Sequence, residues 1–331
     1  MHILLSRTDS IGDVMLTLPM AGLIKKSYPE AKITFLGKAY TKPVIHCCKH
    51  VDEFIDWDSI RHNHPVTLIK KLNPDYFIHV FPRKEIAWLA KKAGIVNRVG
   101  ASGRIYHYFT CNRLIRFSRR RSNFHESQLN LKLLDPLNIS SDISLYDLSE
   151  FSGFTNIPEL PNTYKALIDK NKINVILHPK SKGSAVEWGL NNFSNLIKQL
   201  PEERFKIFIT GTEEEAKIIG NNLPFDQNNV SSLLGKLSLN ELIAFIHNAD
   251  CLVAASTGPL HMAGLMNKVA IGLFSSRRPI HPGRWAPLGK NSHALVSDDN
   301  CTQCAEGRPC DCITNIPIEQ VVHLLQKPSA L

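Results

Sequence analysis

The chain has 331 residues and a formal net charge of +9 at pH 7, with 43% hydrophobic and 21% charged residues. The composition is that of a globular protein, and the length exceeds one ordinary domain, so we expect two domains. The positive charge favours an acidic partner such as phosphate, nucleic acid or an anionic membrane surface. Apolar runs fall short of the roughly 20 residues of a membrane span. The first residues do not resemble a signal peptide, so we expect a cytoplasmic protein whose cysteines are reduced.

The N-terminus combines a predicted strand at residues 2–6, a turn containing Gly12 and a predicted helix at residues 14–27. A strand, a tight turn and a helix in this order form a ligand-facing crevice in parallel sheets. Asp13 lies where the helix begins. Its carboxylate would either stabilise the helix N-terminus or act as a general base on a substrate hydroxyl. These residues leave both interpretations open.

The rest of the first half alternates predicted strands and helices, which indicates a parallel α/β sheet. The predicted elements are strand 32–37, helices 41–50 and 65–72, strand 75–81, helix 85–93 and, further on, helix 127–137. Residues 138–172 are rich in Ser, Pro and Asn with weak periodicity, and we expect the interdomain linker there.

Residues 98–125 lose the regular alternation and combine arginines with aromatic residues. The arginines are Arg104, Arg113, Arg116, Arg119, Arg120 and Arg121, and the aromatics are Tyr106, Tyr108, Phe109, Phe117 and Phe124. Such interleaving suits nucleic acid, a solvated basic face, or an acidic carbohydrate or phospholipid surface. The stretch predicts an anionic contact without selecting among these.

A second α/β run begins after the linker. Its predicted elements are strand 173–177, helix 191–200, strand 205–210, a helix ending near 221 and a helix opened by the capping-box residues Ser238 and Glu241. The loop after the first of these strands carries Lys180 and Lys182, which would either bind an anion or form a solvated turn. Neither half contains a dinucleotide fingerprint or a Walker loop.

Residues 250–289 contain the most informative unit, a predicted strand at 251–255, a loop, a helix from 259 and a strand at 269–274. Ser256, Thr257 and Gly258 lie at the start of that helix, where unpaired amides favour a phosphate. An ordinary helix cap is the alternative. The next loop strengthens the anion interpretation, because arginine side chains match phosphate oxygens. It contains Arg277, Arg278, His281, Arg284 and Trp285.

Four of the eight cysteines lie within twelve residues, as Cys301, Cys304, Cys310 and Cys312. In a reducing compartment this spacing is compatible with a structural zinc site of four thiolates. Thiols that merely line a tight loop, or a redox pair, are the alternatives. Catalysis is not expected there, because four thiolates leave no open metal position for water. A last amphipathic helix is predicted at 317–326.

Two stretches carry a resemblance to a known family. The segment SRTDSIGDVMLTLPMAGLIKKSYPEAKITFLG resembles the N-terminus of glycosyltransferase family 9, the ADP-heptose:lipopolysaccharide heptosyltransferases, and STGPLHMAGLMNKVAIGLFSS is similar to its donor-binding signature. The resemblance implies a GT-B fold, an α/β architecture of two Rossmann-like domains with parallel sheets facing a central cleft. It places an acceptor-binding domain at 1–150, a nucleotide-sugar domain at 173–312 and a C-terminal helix at 313–331 that packs back on the first domain.

The resemblance also implies an inverting, metal-independent transfer that needs no cofactor for catalysis. Asp13 matches the catalytic carboxylate, with Ser10 and Gly12 in its supporting loop. The implied donor-binding residues are Lys180, Lys182, Glu215, Ser256, Thr257, Gly258 and His261. On the acceptor side, Arg104, Arg113, Arg116 and Arg119 are expected to contact acidic groups.

The implied partners are a nucleotide sugar such as ADP-heptose, a phosphorylated or acidic glycolipid, and the anionic inner face of a bacterial inner membrane. Nucleic acid is not expected as a partner. Two departures concern the donor: the family has Asp where Ser256 stands and Lys where Val186 stands. Heptose as the transferred sugar is therefore open. A sugar-nucleotide epimerase or hydrolase, or a non-catalytic nucleotide-sugar-binding protein, are the alternative functions.

Overall fold

The computed structural model describes residues 1–119 and 122–326. The chain divides into two compact units, Met1–Asn156 and Ile157–Leu331. The division falls within residues 138–172, the stretch expected to contain the linker. Each unit is built on one six-stranded parallel sheet with helices, so the fold class is α/β.

The first sheet has the strand order β3-β2-β1-β4-β5-β6. Its strands are β1 His2–Ser6, β2 Lys32–Gly37, β3 Glu53–Asp56, β4 Tyr76–His79, β5 Asn97–Ala101 and β6 Arg113–Ile115. Ile3, Leu4 and Leu5 are fully buried in β1. Consecutive buried apolar residues are typical of a parallel strand covered on both faces. The chain changes direction across the sheet between β1 and β4, and ligands in open α/β sheets bind at such a switch point.

The helices of the first unit are short. They are α1 Ile11–Met15, α2 Leu18–Ser27, α3 Lys42–His46, α4 Trp57–Ile60, α5 Pro65–Leu72, α6 Lys84–Lys92, α7 His107–Thr110, α8 Glu126–Leu131 and α9 Leu145–Leu148, with 3₁₀ turns at Ala39–Thr41, Lys132–Leu137 and Ser149–Phe151. The prediction of a single helix at 14–27 is wrong. Two helices replace it, because Pro19 has no backbone N–H and is accommodated in the first turn of α2.

The predicted loss of order at 98–125 is also wrong for part of that stretch. It contains β5, α7 and β6, and the last is a three-residue strand at the sheet edge with a polar first residue, Arg113. A strand this short has no detectable periodicity. The helix predicted at 127–137 is α-helical only to Leu131, and the 3₁₀ turn that follows contains Pro136. Arg120 and Arg121 lie outside the described residues.

The second sheet repeats the first, with the order β12-β11-β10-β7-β8-β9. Its strands are β7 Ile173–His178, β8 Phe205–Ile209, β9 Val230–Ser232, β10 Cys251–Ala255, β11 Val269–Leu273 and β12 Ser292–Leu295. Strand β10 pairs with both β7 and β11, so that Cys251 lies between Val175 and Val269. The switch point is therefore between β7 and β10, the strands that precede the two loops predicted to bind an anion.

The helices of the second unit are α10 Asn162–Lys165, α11 Leu190–Gln199, α12 Glu213–Ile219, α13 Leu239–Asn248, α14 Gly258–Leu265, α15 Pro282–Trp285, α16 Thr302–Ala305 and α17 Ile318–Leu325. The five longer helices follow the predicted order, and three four-residue helices, α10, α15 and α16, were not predicted. The capping box predicted at Ser238 and Glu241 is confirmed. Strands β9 and β12 were not predicted, because both are short and neither alternates polar and apolar residues clearly.

Helix α17 belongs to the second unit. Val321 and Leu325 are fully buried in that unit's hydrophobic core, together with Ile313 and Ile316. The helix packs against α11 and β11 within that unit. None of the helices in the described residues is long and apolar enough to cross a membrane.

Candidate functional site

A buried arginine organises the loop that follows β1. Only 2% of the Arg7 side chain is exposed. Its Nε donates to Asp9 Oδ1 at 2.8 Å, and its Nη1 donates to Glu126 Oε1 at 3.1 Å and to Asn130 Oδ1 at 3.2 Å. Nη2 donates to Asp13 Oδ1. Because Glu126 and Asn130 lie on α8, the guanidinium ties that helix to the loop and fixes the position of the Asp13 carboxylate.

Asp13 is not the cap of its own helix. The N-cap position of α1 is Ser10, whose hydroxyl donates to Asp13 Oδ2 instead of capping the backbone. Burial would raise the pKa of Asp13, but the charge of Arg7 and the hydrogen bonds from Ser10 and Arg7 outweigh it and lower the pKa. The side chain keeps 18% exposure. Asp13 is therefore an ionised carboxylate that a hydroxyl can still reach.

Asp9 behaves oppositely. Burial raises the pKa of Asp9, and the nearby charge of Asp13 raises it further. Arg7 lowers it only in part, so the pKa is about 6. Two adjacent carboxyl groups thus have pKa values pushed in opposite directions, an arrangement typical of sites that handle protons. Near neutral pH, Asp13 stays charged while Asp9 lies close to its titration.

Buried polar atoms gather at the carboxyl ends of β1 and β4. Ser6 Oγ, Thr8 Oγ1, Arg83 Nε and both ring nitrogens of His79 have no hydrogen-bond partner among the described residues. Arg83 Nη2 donates to the Thr8 carbonyl at 3.3 Å and so links the two loops. Arg7, Arg83 and His79 were not predicted as site residues from the sequence. Their positions at or just after the ends of predicted strands could have indicated a site.

The basic stretch divides into two parts. Arg104, Arg113 and Arg116 are exposed. Arg119 is held by the protein: its Nε donates to Glu126 Oε1 at 2.9 Å, and its Nη2 donates to Asn130 Oδ1 at 2.7 Å and to the Val80 carbonyl at 3.0 Å. Arg119 therefore belongs to the same buried network as Arg7.

Large apolar side chains accompany the exposed arginines. Ile105 is 81% exposed, Phe109 62% and Tyr108 61%. Single exposed apolar residues are ordinary, but several in one short segment mark an interaction surface. We call residues 104–116 the basic-aromatic segment.

At the second switch point, the loop after β7 is organised by Glu187. This carboxylate accepts from the Ser181 N–H at 2.9 Å, from the Ser181 hydroxyl at 3.0 Å and from Lys180 Nζ. Lys182 is 60% exposed, has a backbone φ of 50°, and its Nζ lies 3.7 Å from Glu214 Oε2. Both lysines thus have a neighbouring carboxylate, and Lys182 is the more accessible cation. Glu187 was not predicted from the sequence.

The loop after β10 leads into α14, whose N-cap is Thr257. The Thr257 side chain does not cap the helix. It is 7% exposed, and its hydroxyl has no hydrogen-bond partner in residues 1–119 and 122–326. Ser256 is half-buried, and His261, on the same helix, is 2% exposed. Thr257 is therefore not an ordinary side-chain cap. Thr212 and Ser238, in contrast, make cap hydrogen bonds at their own helices.

Glu215 has a capping role. Its Oε2 accepts from the Thr212 N–H at 2.7 Å, and the residue is 3% exposed. Next to it, burial lowers the pKa of His178 although the charges of Glu215 and Glu187 act to raise it. Glu215 therefore closes the start of α12, and its second oxygen is the part left for another partner.

The arginine-rich loop after β11 is also held by contacts within the loop. Trp285 Nε1 donates to the Pro279 carbonyl at 2.9 Å, and the Arg284 guanidinium lies 4.9 Å from the Trp285 ring centroid. Burial and the charges of Arg278 and Arg284 lower the pKa of His281. The loop therefore concentrates positive charge at the carboxyl edge of the second sheet.

The four clustered cysteines converge. The sulfur atoms of Cys301, Cys304, Cys310 and Cys312 all lie within 4.8 Å of one another, close enough to hold a metal ion together. All four are free thiols.

Solved structures share the architecture of the whole chain. The structure of a glycosyltransferase family 9 protein from Veillonella parvula has a TM-score of 0.80 and 17% identity, over 98% of this chain and 97% of that one. The E. coli ADP-heptose lipopolysaccharide heptosyltransferase II has a TM-score of 0.74 and 17% identity, with 100% of each chain covered. The expected GT-B fold is confirmed.

Sequence comparison gives the family. A Haemophilus influenzae protein, provisionally described as a glycosyltransferase, is 28% identical over 309 residues, covering 86% of each chain. Residues 87–312 match the family described as glycosyltransferase family 9 (heptosyltransferase). Asp13 lies outside the matched residues. The chain belongs to glycosyltransferase family 9.

Proposed function

We propose that this protein is an inverting glycosyltransferase that moves a sugar from a nucleoside-diphosphate sugar to a hydroxyl of a lipopolysaccharide-core or related surface-glycan acceptor. The observation that carries the proposal is the buried Thr257 hydroxyl, which has no partner among the described residues and lies at a helix N-terminus beside the switch point. ADP-heptose or a related compound is the donor class, by analogy with the E. coli protein of the same fold.

On the donor side, the N-terminus of α14 supplies unpaired backbone amides and a positive dipole end for the diphosphate. The Thr257 hydroxyl donates to a phosphate oxygen, and Gly258 lets the backbone approach it closely. His261, Ser256 and a lysine from the loop after β7 complete the donor contacts. Lys182 is the more accessible cation, because its side chain is 60% exposed and that of Lys180 is 18% exposed. Glu215 offers its second oxygen to the nucleotide ribose.

On the acceptor side, Asp13 acts as the general base. As the acceptor oxygen forms its bond to the anomeric carbon, the bond from that carbon to the diphosphate breaks and the hydroxyl proton passes to Asp13. Attack from the face opposite the leaving group inverts the anomeric configuration. The nucleoside diphosphate leaves with its electron pair, and the donor contacts stabilise that charge. No cofactor takes part in these steps.

Arg7 is a positioning residue in this proposal. Its charge keeps Asp13 ionised, and its contacts with α8 hold the carboxylate in one orientation. The low pKa makes Asp13 a weak base, which fits a reaction whose proton moves only after the new carbon–oxygen bond is well advanced. Ser10 supports the second oxygen of the carboxylate.

The basic-aromatic segment is proposed to contact the acidic glycolipid acceptor at the inner face of the inner membrane. Arg104, Arg113 and Arg116 provide the charge, while Ile105 and Phe109 provide apolar surface for a lipid interface. Arg119 is left out of this contact set, because its guanidinium is engaged with Glu126 and Asn130. The proposed location is thus cytoplasmic and peripheral to the membrane.

The substitution Asp13→Asn tests the catalytic assignment. We expect the turnover number to fall by at least about 100-fold, since a positioned base contributes about 10²–10⁴-fold. The affinity for ADP should not change. Because the pKa of Asp13 is lowered, the base remains ionised as pH falls from neutrality and is lost only below its usual range. Initial-rate assays with an acceptor glycolipid and calorimetric titration with ADP measure both quantities.

Asp56→Asn is the matched control, because Asp56 is also a carboxylate at a helix start and its side chain accepts from the Asp58 N–H. It should keep wild-type turnover. Turnover within about threefold of wild type for Asp13→Asn would show that Asp13 is not the base. Conversion or hydrolysis of the donor without an acceptor, at the rate seen with one, would instead support an epimerase or hydrolase. Donor binding with no turnover under any condition would indicate a non-catalytic protein.

Replacing Thr257 by Val tests the donor site. Removing a buried hydroxyl that has no partner should leave the melting temperature of the ligand-free protein unchanged or higher. The dissociation constant for ADP should rise about tenfold or more, since a hydrogen bond to a charged group contributes about 1.5–3 kcal/mol. Thermal unfolding and calorimetric titration provide the two values.

Ser238→Ala is the contrasting variant, because Ser238 caps α13 through its side chain. It should lower stability by about 1 kcal/mol and leave ADP affinity unchanged. If Thr257→Val destabilises the free protein as strongly and binds ADP normally, Thr257 is only a structural residue.

Ser256 should alter which sugar the donor site prefers. A serine hydroxyl gives weaker, uncharged hydrogen bonds than the aspartate of related heptosyltransferases, so the diphosphate should provide most of the binding energy. We expect ADP to raise the melting temperature and ADP-heptose to add little beyond it, because ligands stabilise the state they bind. A large additional shift with ADP-heptose would indicate an ordinary heptosyltransferase. The variant Ser256→Asp should gain that shift.

Changing Arg104, Arg113 and Arg116 together to Gln tests the basic-aromatic segment. Binding to vesicles containing anionic lipid should fall at least about tenfold, since each basic residue near such a surface contributes about 1 kcal/mol. ADP affinity should be unchanged. Changing Lys165, Lys170 and Lys198 to Gln removes the same charge from exposed positions of the second unit. Equal vesicle binding and equal acceptor KM for the two triple variants would contradict the proposal.

A further inference from the structure

The segment 297–312 joins β12 to the last part of the core and has almost no structure of its own. Its regular structure is the four-residue helix α16. Apart from the cysteines, its apolar residues are Ala305 and Pro309, and both are exposed. A loop of this length without apolar side chains to bury has little to offset the entropy of ordering it.

The least exposed side chains of this segment are those of its four cysteines. Every residue from 297 to 312 is exposed except the four cysteines. Cys304 is 2% exposed and Cys312 8%, while Cys301 and Cys310 are half-buried. Because all four sulfur atoms lie within 4.8 Å of one another, the segment folds around a single point defined by the thiols.

The spacing of these sulfur atoms fits a metal ion better than a disulfide. Zinc–sulfur bonds of about 2.3 Å place the sulfurs of a tetrahedral site about 3.8 Å apart, which is compatible with the observed spread. The Cys304 and Cys310 sulfurs are 3.0 Å apart, longer than the roughly 2.05 Å of a disulfide bond. The Cys304 N–H also donates to the Cys301 sulfur at 3.5 Å, a contact that stabilises a thiolate.

We infer that Cys301, Cys304, Cys310 and Cys312 bind one zinc ion that holds segment 297–312 in place. Four thiolates select soft metal ions, and a closed tetrahedral site without a water position has a structural role. The bound zinc would hold the chain just before it enters the core of the second unit. Cys312 leads directly into Ile313 and Ile316, which are buried in the second unit's core, and the Ile316 carbonyl accepts from Trp188 Nε1 at 3.1 Å.

The site is distinct from the proposed donor and base residues, and its test does not depend on transferase activity. Protein produced in medium supplying both zinc and iron should contain about one zinc per chain by elemental mass spectrometry. Removing the metal with a strong chelator should lower the melting temperature of the wild-type protein, and adding zinc should restore it, because metal binding contributes to folding free energy. Cobalt(II) added instead should give the absorption bands of a tetrahedral thiolate site.

Single substitutions separate metal binding from packing. Cys310→Ser should lose the zinc and the chelator effect, whereas Cys310→His should retain zinc, since zinc accepts three thiolates and an imidazole. Cys47→Ser is the matched control at a buried cysteine outside the cluster and should keep one zinc per chain. The wild-type chelation experiment remains decisive if Cys310→Ser does not fold.

Three results would overturn the inference. The first is folded protein without metal whose melting temperature is unaffected by chelator and by zinc. The second is a disulfide between cluster cysteines, detected by thiol counting under non-reducing conditions after purification without oxidant. The third is stoichiometric iron in place of zinc, which would overturn the assignment of the metal.

Discussion

The ion pairs of the buried Arg7 guanidinium are the interaction on which the loop after β1 depends. A guanidinium with 2% side-chain exposure is surrounded by Asp9, Asp13 and Glu126. Burying such a group is tolerated only when opposite charges and hydrogen bonds replace the lost water. Loss of one partner from a buried ion pair costs about 3–5 kcal/mol. The same contacts that make the loop after β1 stable therefore determine where the Asp13 carboxylate lies.

Glu126 extends this network to the basic stretch. Its carboxylate accepts from Arg7 and from Arg119, so one buried acid joins the loop after β1, helix α8 and the chain beyond β6. Arginine side chains close together in sequence consequently have different roles. Arg119 is part of the support for Asp13, whereas Arg113 and Arg116 face solvent.

The two units repeat one topology, but the loops at their switch points hold different polar groups. In the first, the loop places Arg7 in ion pairs with Asp9 and Asp13, and the Ser10 hydroxyl also donates to Asp13. In the second, the loop at the switch point leaves the Thr257 hydroxyl buried without a partner among the described residues. A buried polar group without a hydrogen bond is costly, and functional sites are where proteins retain such groups. The proposed function assigns the base to the first loop and the phosphate contact to the second.

From the sequence alone the α/β class, strands β1, β2 and β4 of the first sheet, strands β7, β8, β10 and β11 of the second, and the loops that carry Asp13 and Thr257 could be predicted. These elements could be predicted because long apolar runs and strong turn residues depend on local chemistry, as for the turn and buried strand around Ser256. The family resemblance supplied the roles of these residues, which the spacing alone left open between helix capping and function.

Tertiary structure decided the rest. Strands β6 and β9 have three residues each, and their pairing partners, not their own pattern, make them strands. Whether Arg119 faces solvent depended on atoms far away in sequence, such as the Val80 carbonyl, which accepts from its guanidinium. Helix α17 joined the second core because its apolar face met α11 there. Long-range contacts of this kind leave no local signal, since burial and charge pairing are properties of the folded chain.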